Sequence, residues 1–151
     1  MKLALGSDER LPVVDHVRQW LQEHGHEVAW HGPDQGATLP WPQVARQVAE
    51  QVAGGRAAEG VLFCWTGTSV SMAANKISGV RAALCADAQT ARGARLWNKA
   101  NVLCLSLRTT TPALAEEILE RWFNTSYLPN PNDDACLAQV EELDKIRLQS
   151  T

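Results

Sequence analysis

Short apolar runs alternate with helix-patterned segments along the whole chain, and that alternation limits the fold more than any other feature. The runs fall at residues 2–5, 27–30, 61–64, 81–85 and 101–105. Between them apolar residues recur on one helical face: Val14, Val17 and Leu21 after Pro12, then Val44, Val48 and Val52 after Pro42, closed by Gly54 and Gly55. The pattern predicts further helices over 69–77, over 87–96, and from Pro112, where Leu114, Ile118 and Trp122 stack at four-residue spacing. A polar connection from Tyr127 to Asp134 precedes a last helix, read as amphipathic, that runs through Leu148. Such alternation predicts an α/β fold of three layers, α/β/α, with a five-stranded parallel sheet and an added C-terminal helix. No repeat and no linker divides the chain, so residues 1–151 read as a single domain long enough to bury a core.

In open parallel sheets, ligands bind beyond the carboxyl ends of the strands. The turns expected there are Asp8-Glu9-Arg10, the segment from Cys64 to Ser69, and the Trp97-Asn98 region. The middle one carries the most chemistry. Val61-Leu62-Phe63 ends in Cys64, a turn through Trp65, Thr66, Gly67, Thr68 and Ser69 follows, and a helix begins. A thiol at the end of a strand then faces a helix N-terminus, whose free N–H groups favour both a thiolate and a developing oxyanion. The plainer alternative is that Cys64 merely caps a buried strand.

Cys85 and Cys104 sit inside apolar runs and read as buried thiols acting as small hydrophobes. The four cysteines lack C-x-x-C spacing, so no metal site is expected. The G-x-G-x-x-G and Walker A patterns are absent, so no nucleotide cofactor is implied. A formal charge of −3 and a pI near 5.8 give no electrostatic reason to expect nucleic acid or an anionic membrane as partner. No apolar run approaches a membrane span and no signal peptide is recognisable, so a cytoplasmic location is expected. All four histidines lie within the first 31 residues, so any acid–base group from the later chain is something else.

Gly6-Ser7-Asp8, the run from Cys64 to Lys76, Gly79-Val80-Arg81-Ala82-Ala83-Leu84, and Asn98 with Asn101-Val102-Leu103 closely resemble the family of type B ribose-5-phosphate isomerases and galactose-6-phosphate isomerases. The likeness spans nearly the whole chain, and Ala73-Ala74-Asn75-Lys76 behind a Cys-x-Thr-Gly turn is its most specific element. The resemblance implies a Rossmann-like sheet and aldose–ketose isomerisation through a cis-enediol, with neither metal nor cofactor. It implies Cys64 as the base that moves a proton between C1 and C2. The glutamate that some members use four residues later is Thr68 here. Thr66 matches a threonine near the substrate hydroxyls, Asp8 a substrate-contacting aspartate, and Asn98 the asparagine that follows a ring-opening histidine. Backbone N–H groups from Gly67 to Val70 are placed to hold enediolate charge. The family's site is built at a subunit interface, which implies a homodimer or tetramer.

The chain departs from the family where the sugar ring and its phosphate are handled. Trp65 and Ser69 replace two glycines of the turn, and serine does not take φ > 0 as cheaply. Trp97 replaces the ring-opening histidine, and an indole N–H donates a hydrogen bond but cannot shuttle a proton. Glu9 stands where the family has histidine and reads either as a replacement acid–base group or as a solvated charge. Residues 132–140, where the family holds the phosphate with Arg and His, contain Asp133 and Asp134 and no basic residue. Arg10 reads either as an anion holder or as a surface charge, and Arg108, which matches a family arginine, does not rebuild the cluster. Of six tryptophans, Trp20 and Trp122 fit helical core faces, whereas Trp41, Trp65 and Trp97 are assigned to loops forming a flat apolar pocket.

The expected function is therefore isomerisation of a sugar or other 2-hydroxycarbonyl compound, or a related enolisation or epimerisation. Simple ribose 5-phosphate is not the expected substrate; one that is unphosphorylated, already open-chain or part of a larger molecule fits better. Cys64, Thr66, Asp8 and Glu9 are the candidate catalytic residues. Asn98 and Trp97, Trp65, Gly67, Thr68, Ser69, Trp41 and Arg10 are the candidates for substrate binding. The competing expectation is a non-catalytic binding or regulatory relative of the same fold.

Overall fold

The computed structural model describes residues 1–150. Its strands are β1 (Lys2–Ser7), β2 (Glu27–His31), β3 (Glu59–Cys64), β4 (Ala82–Leu84) and β5 (Val102–Ser106). Its helices are α1 (Pro12–Glu23), α2 (Trp41–Ala53), α3 (Thr68–Ala74), α4 (Ala88–Asn98), α5 (Pro112–Phe123) and α6 (Pro131–Gln149). The strands form one five-stranded parallel sheet, as the alternation predicts, in the order β2-β1-β3-β5-β4.

Alternation along each strand divides the core into two layers. Leu3, Leu5, Val61, Phe63, Leu103 and Leu105 meet Val14, Val17 and Leu21 of α1 and Ile118, Leu119 and Trp122 of α5. Ala4, Leu62, Cys64, Val102 and Cys104 meet Val44, Val48 and Val52 of α2 and Val70 and Ala74 of α3. Gly6 lets α2 approach closely, because a β-carbon there would stand 2.8 Å from both Val44 Cγ1 and Val48 Cγ2. Burial pushes the Cys85 thiol up to about 12 and the Cys104 thiol up as well, which suits inert core positions.

The short edge strand β4 is held by two asparagines rather than by length. Asn75 closes α3 and exchanges bonds with Ala82, its Oδ1 accepting from Ala82 N at 2.8 Å and its Nδ2 donating to Ala82 O at 2.9 Å. Asn101 does the same from the start of β5, accepting from Arg81 N at 2.8 Å and donating to Gly79 O at 2.9 Å. Below the sheet, Glu59 is buried with Arg95 and Trp122. Arg95 Nη2 stands 2.6 Å from Glu59 Oε1, and Trp122 Nε1 donates to Oε2 at 2.6 Å. The Glu59 carboxyl is raised by burial, and Arg95 and Trp122 pull it back down.

Three expectations need correction. Trp41 is the first residue of α2, and Trp97 and Asn98 form the last turn of α4, so two of the three assigned loop tryptophans are helical. The final helix is not amphipathic toward this chain: α6 has no buried residue. Its apolar residues Leu137, Val140, Leu143 and Ile146 recur every third position. On a helix of 3.6 residues per turn, that spacing winds around the axis instead of staying on one stripe. Among the described residues no helix is long and apolar enough to cross a membrane.

Candidate active site

The sheet register brings two of the candidate segments together. Ser7 pairs with Phe63, so the chain leaving β1 at Asp8 runs beside the chain leaving β3 at Cys64. The turn after Cys64 is fastened to the end of β5. Leu107 N donates to Cys64 O at 2.9 Å, Arg108 N to Trp65 O at 3.0 Å, and Ser106 Oγ to Trp65 O at 2.8 Å. Gly67 N closes the turn on Cys64 O at 3.2 Å with φ of +77°. A β-carbon on Gly67 would stand 3.0 Å from the Leu105 carbonyl carbon and 2.5 Å from Leu84 Cδ1, so both conformation and space demand glycine.

Cys64 is 3% exposed, with its thiol on the α2/α3 side of the sheet. Gly67 caps α3 without a side chain, which leaves the first-turn N–H groups of Thr68, Ser69 and Val70 without a side-chain acceptor. Thr66 Oγ1 and Thr68 Oγ1 lie 2.7 Å apart on the exposed rim of the turn. Ser69 lies within α3, so the glycine it replaces is not one whose φ must be positive. Trp65 is 57% exposed and turns outward rather than filling the space beside the thiol.

The loop between β2 and α2 folds over the Asp8 turn. Leu39 N donates to Asp8 O at 3.0 Å, and Glu9 and Thr38 form an antiparallel bridge. Trp41, partly exposed at the start of α2, follows at once. Asp8 Oδ1 is buried without a hydrogen-bond partner, and its carboxyl is raised by burial and then by the charge of Glu9. Glu9 itself is exposed. Arg10 is taken up by α1, its Nε 2.8 Å from Asp15 Oδ1, which favours the surface reading of that residue.

Trp97 and Asn98 are not brought to this crevice. A helix connecting two parallel strands returns the chain to the end of the sheet where the next strand begins, so the last turn of α4 lies toward the amino ends of the strands and Cys64 at a carboxyl end. There Trp97 and Asn98 line a cavity of about 670 Å³ with Ala83, Leu84, Arg92 and Gly93, along the open side of β4. Leu84, which also abuts Gly67, is the link between that cavity and the Cys64 turn. One chain therefore does not gather three indoles into one pocket: Trp65 follows the carboxyl end of β3 and Trp41 opens α2, whereas Trp97 is in the last turn of α4.

The acids of the 132–140 stretch are held locally. Asp133 Oδ2 accepts from Asn130 Nδ2 at 2.6 Å, and Asp134 Oδ1 accepts from Tyr127 OH at 2.6 Å. Two cations not singled out from the sequence share a cleft with Asp134. Arg81 and Lys99 line a cleft of about 150 Å³ with Tyr127, Asp134, Ala138 and Glu141. Two positive charges oppose two negative ones, so the cleft carries no net charge for a phosphate. His31 was also missed; before Gly32-Pro33 it reads as the start of a loop, yet it ends β2 with its Nε2 buried and unpartnered. Among the described residues no group of three or more His, Cys, Asp or Glu is gathered to hold a metal ion.

The sequence profile of the ribose/galactose isomerase family matches residues 3–138. The galactose-6-phosphate isomerase subunit LacB of Clostridium acetobutylicum is 33% identical over 144 residues, covering 95% of this chain and 83% of that protein. The D-erythrulose-4-phosphate isomerase of Pectobacterium atrosepticum is 33% identical over 129 residues, covering 84% of this chain and 85% of its own. The structure of Clostridium thermocellum ribose-5-phosphate isomerase B superposes with a TM-score of 0.92 at 31% identity, covering 96% of this chain and 98% of the other.

Proposed function

The chain belongs to the ribose/galactose isomerase family, and from that premise we propose that it interconverts an aldose and a ketose through a cis-enediol with Cys64 as base. The observation that carries this is the pairing of β1 with β3, which sets Asp8 beside Cys64 on a turn whose α3 N–H groups have no side-chain cap. The Cys64 thiolate takes the proton from the carbon next to the carbonyl, and the bonding pair moves onto the carbonyl oxygen. The N–H groups of Thr68, Ser69 and Val70 hold the resulting charge, where fixed donors are worth most. Thr66 and Asp8 orient the substrate oxygens, and the thiol then returns the proton to the neighbouring carbon. No cofactor enters these steps. The reading is of a cytoplasmic enzyme.

The substrate proposed is an open-chain 2-hydroxycarbonyl sugar. Trp97 cannot exchange the proton that opening a ring requires, so a substrate that needs no ring opening fits. D-erythrulose 4-phosphate, which the Pectobacterium relative is named for, illustrates the class: a four-carbon 2-ketose has no hydroxyl placed to close a five-membered ring on its carbonyl. Because Trp97 and Asn98 lie away from Cys64 in their own chain, a second copy would have to supply them. The proposal therefore includes a homodimer or tetramer with the site between copies.

Solvent-deuterium exchange at the carbon next to the carbonyl tests the reading. Wild type is expected to exchange D-erythrulose 4-phosphate faster than ribose 5-phosphate, and Cys64→Ala to lose about a thousandfold or more, within the range of a lost acid–base group. Exchange that survives in Cys64→Ala removes the thiol from the chemistry. Efficient turnover of ribose 5-phosphate overturns the open-chain assignment, and no exchange with any sugar makes this a binding protein.

A further inference from the structure

Two buried side-chain atoms lack a hydrogen-bond partner among the described residues, Asp8 Oδ1 and His31 Nε2. Buried polar groups are almost always satisfied, so two exceptions at one end of a sheet call for an account. His31 ends β2, in register with Gly6 of β1, two residues before Asp8. Val28 and Trp30 of the same strand pack into the α1/α5 layer, so by alternation His31 projects to the other face. That is the face of Cys64. Gly6 stands between them, its own face covered by Val44 and Val48 of α2, so the two groups can meet a ligand only above it, beyond the strand ends. The ends of β2 and β3 thus carry an imidazole and a thiol on one side of the sheet, and the turn leaving the strand between them carries the Asp8 carboxylate.

The other histidines are engaged elsewhere. His16 Nε2 bonds Glu116 Oε1 at 2.7 Å, His24 Nδ1 bonds Trp20 O at 2.7 Å, and His26 packs against Phe123. The titratable groups on the elements around His31 are Asp8 and Glu9 after β1, Asp34 in the loop that follows it, and Cys64 on β3. The nearby part of α2 contributes Val44 and Val48. Burial lowers the His31 pKa, which keeps the ring neutral and able to accept a proton at neutral pH.

We propose that His31 is the second proton-transfer group of the site, carrying the proton between the two substrate oxygens while Cys64 moves the one between the two carbons. This rests on the isomerase reading above. The neutral imidazole accepts the hydroxyl proton as the enediol forms and delivers it to the former carbonyl oxygen as the enediol collapses. Protons and electrons balance, and no other reactant is consumed. The imidazole absent from positions 9 and 97 is thereby supplied from β2.

His31→Gln keeps a hydrogen-bonding side chain but cannot titrate. With D-erythrulose 4-phosphate, kcat is expected to fall about 100-fold while KM changes less than about threefold, and the low-pH limb of the kcat profile becomes less steep, with only the Cys64 thiolate left to titrate. An unchanged thermal unfolding curve separates this from misfolding. Imidazole ¹⁵N spectra give a readout that needs no turnover. Adding D-erythrulose 4-phosphate to wild type should move the His31 resonance and leave His16, His24 and His26 in place. Unchanged kcat and pH limb in His31→Gln, or a His31 resonance that does not move, overturns the proposal. If Cys64→Ala keeps turnover while His31→Gln loses it, the base assignment fails and His31 stands.

Discussion

The Trp97 indole lies back across Gly93, one turn earlier on α4, so closely that a β-carbon on Gly93 would stand 2.7 Å from Trp97 Cζ3. The glycine is what lets a large ring, 55% exposed, follow the helix surface instead of projecting from it. Gly93→Ala should lift the indole away. Fluorescence quenching by iodide should rise, while the unfolding free energy changes by less than about 1 kcal/mol, since alanine's better helix propensity offsets the lost contact. Unaltered quenching would refute this packing.

Gly67→Ala is predicted to be far more costly. The alanine would need the left-handed region, a penalty of roughly 1–2 kcal/mol, and would also press on the Leu105 carbonyl. Urea unfolding should show a loss of about 2 kcal/mol or more, with turnover reduced at least about tenfold as the N–H groups of α3 shift. A variant as stable and active as wild type would mean the turn tolerates another conformation.

The layer order and the Cys64 turn were legible because they rest on local signals. Strand–helix alternation, proline at the start of α1, α2 and α5, and a strand ending in Cys64 before Gly67 all survive in the structure. Helix ends were less legible. Asp87 caps α4 through Thr90 N, and Lys99, at φ of 49°, closes it only after Trp97 and Asn98, which no residue preference announces. The position of Asn98 relative to Cys64 is a matter of connectivity, invisible to motif spacing. His31, Arg81 and Lys99 were not singled out because their neighbours are distant in sequence: His31 meets Gly6 across a strand pair, and the two cations meet α6 across a cleft.

Glu59→Gln should destabilise the fold by about 2 kcal/mol, because it leaves the partly buried Arg95 guanidinium beside Trp122 without its counter-charge. Denaturant unfolding measures this. A change below about 1 kcal/mol would show that Arg95 is satisfied by the carbonyls of Ala100 and Thr125 alone.

Mild acid should weaken the protein through its histidines. Burial lowers the pKa of both His26 and His31 from the ordinary 6.5. Near and below that value the unfolded chain binds protons that the folded chain refuses, so stability is complete above it and declines as pH falls. The urea midpoint is expected to be lower at about pH 5.5 than at about pH 7.5, and His31→Gln should flatten part of that slope. Equal midpoints for wild type at both values would contradict it.

Leu143 on α6 is 62% exposed, and Val140 and Ile146 are exposed near it. If copies associate through this helix, Leu143→Lys should shift sedimentation to a single-chain species and cut turnover together. Its unfolding midpoint at low protein concentration should match that of wild type, because no core contact is lost. An unchanged sedimentation profile would put the interface elsewhere.

Cys64 lies at the carboxyl end of β3, whereas Asn98 closes α4 where the chain turns back into the start of β5, so one copy does not offer both to one small molecule. A site needing both belongs to no individual copy, so damage to it is shared out rather than inherited whole. Pair a Cys64→Ala chain with an Asn98→Ala chain, each inactive alone, and one of the two sites receives both lesions while the other receives neither. Two broken proteins would then make one working centre, and how often they do so reports how freely the copies change partners.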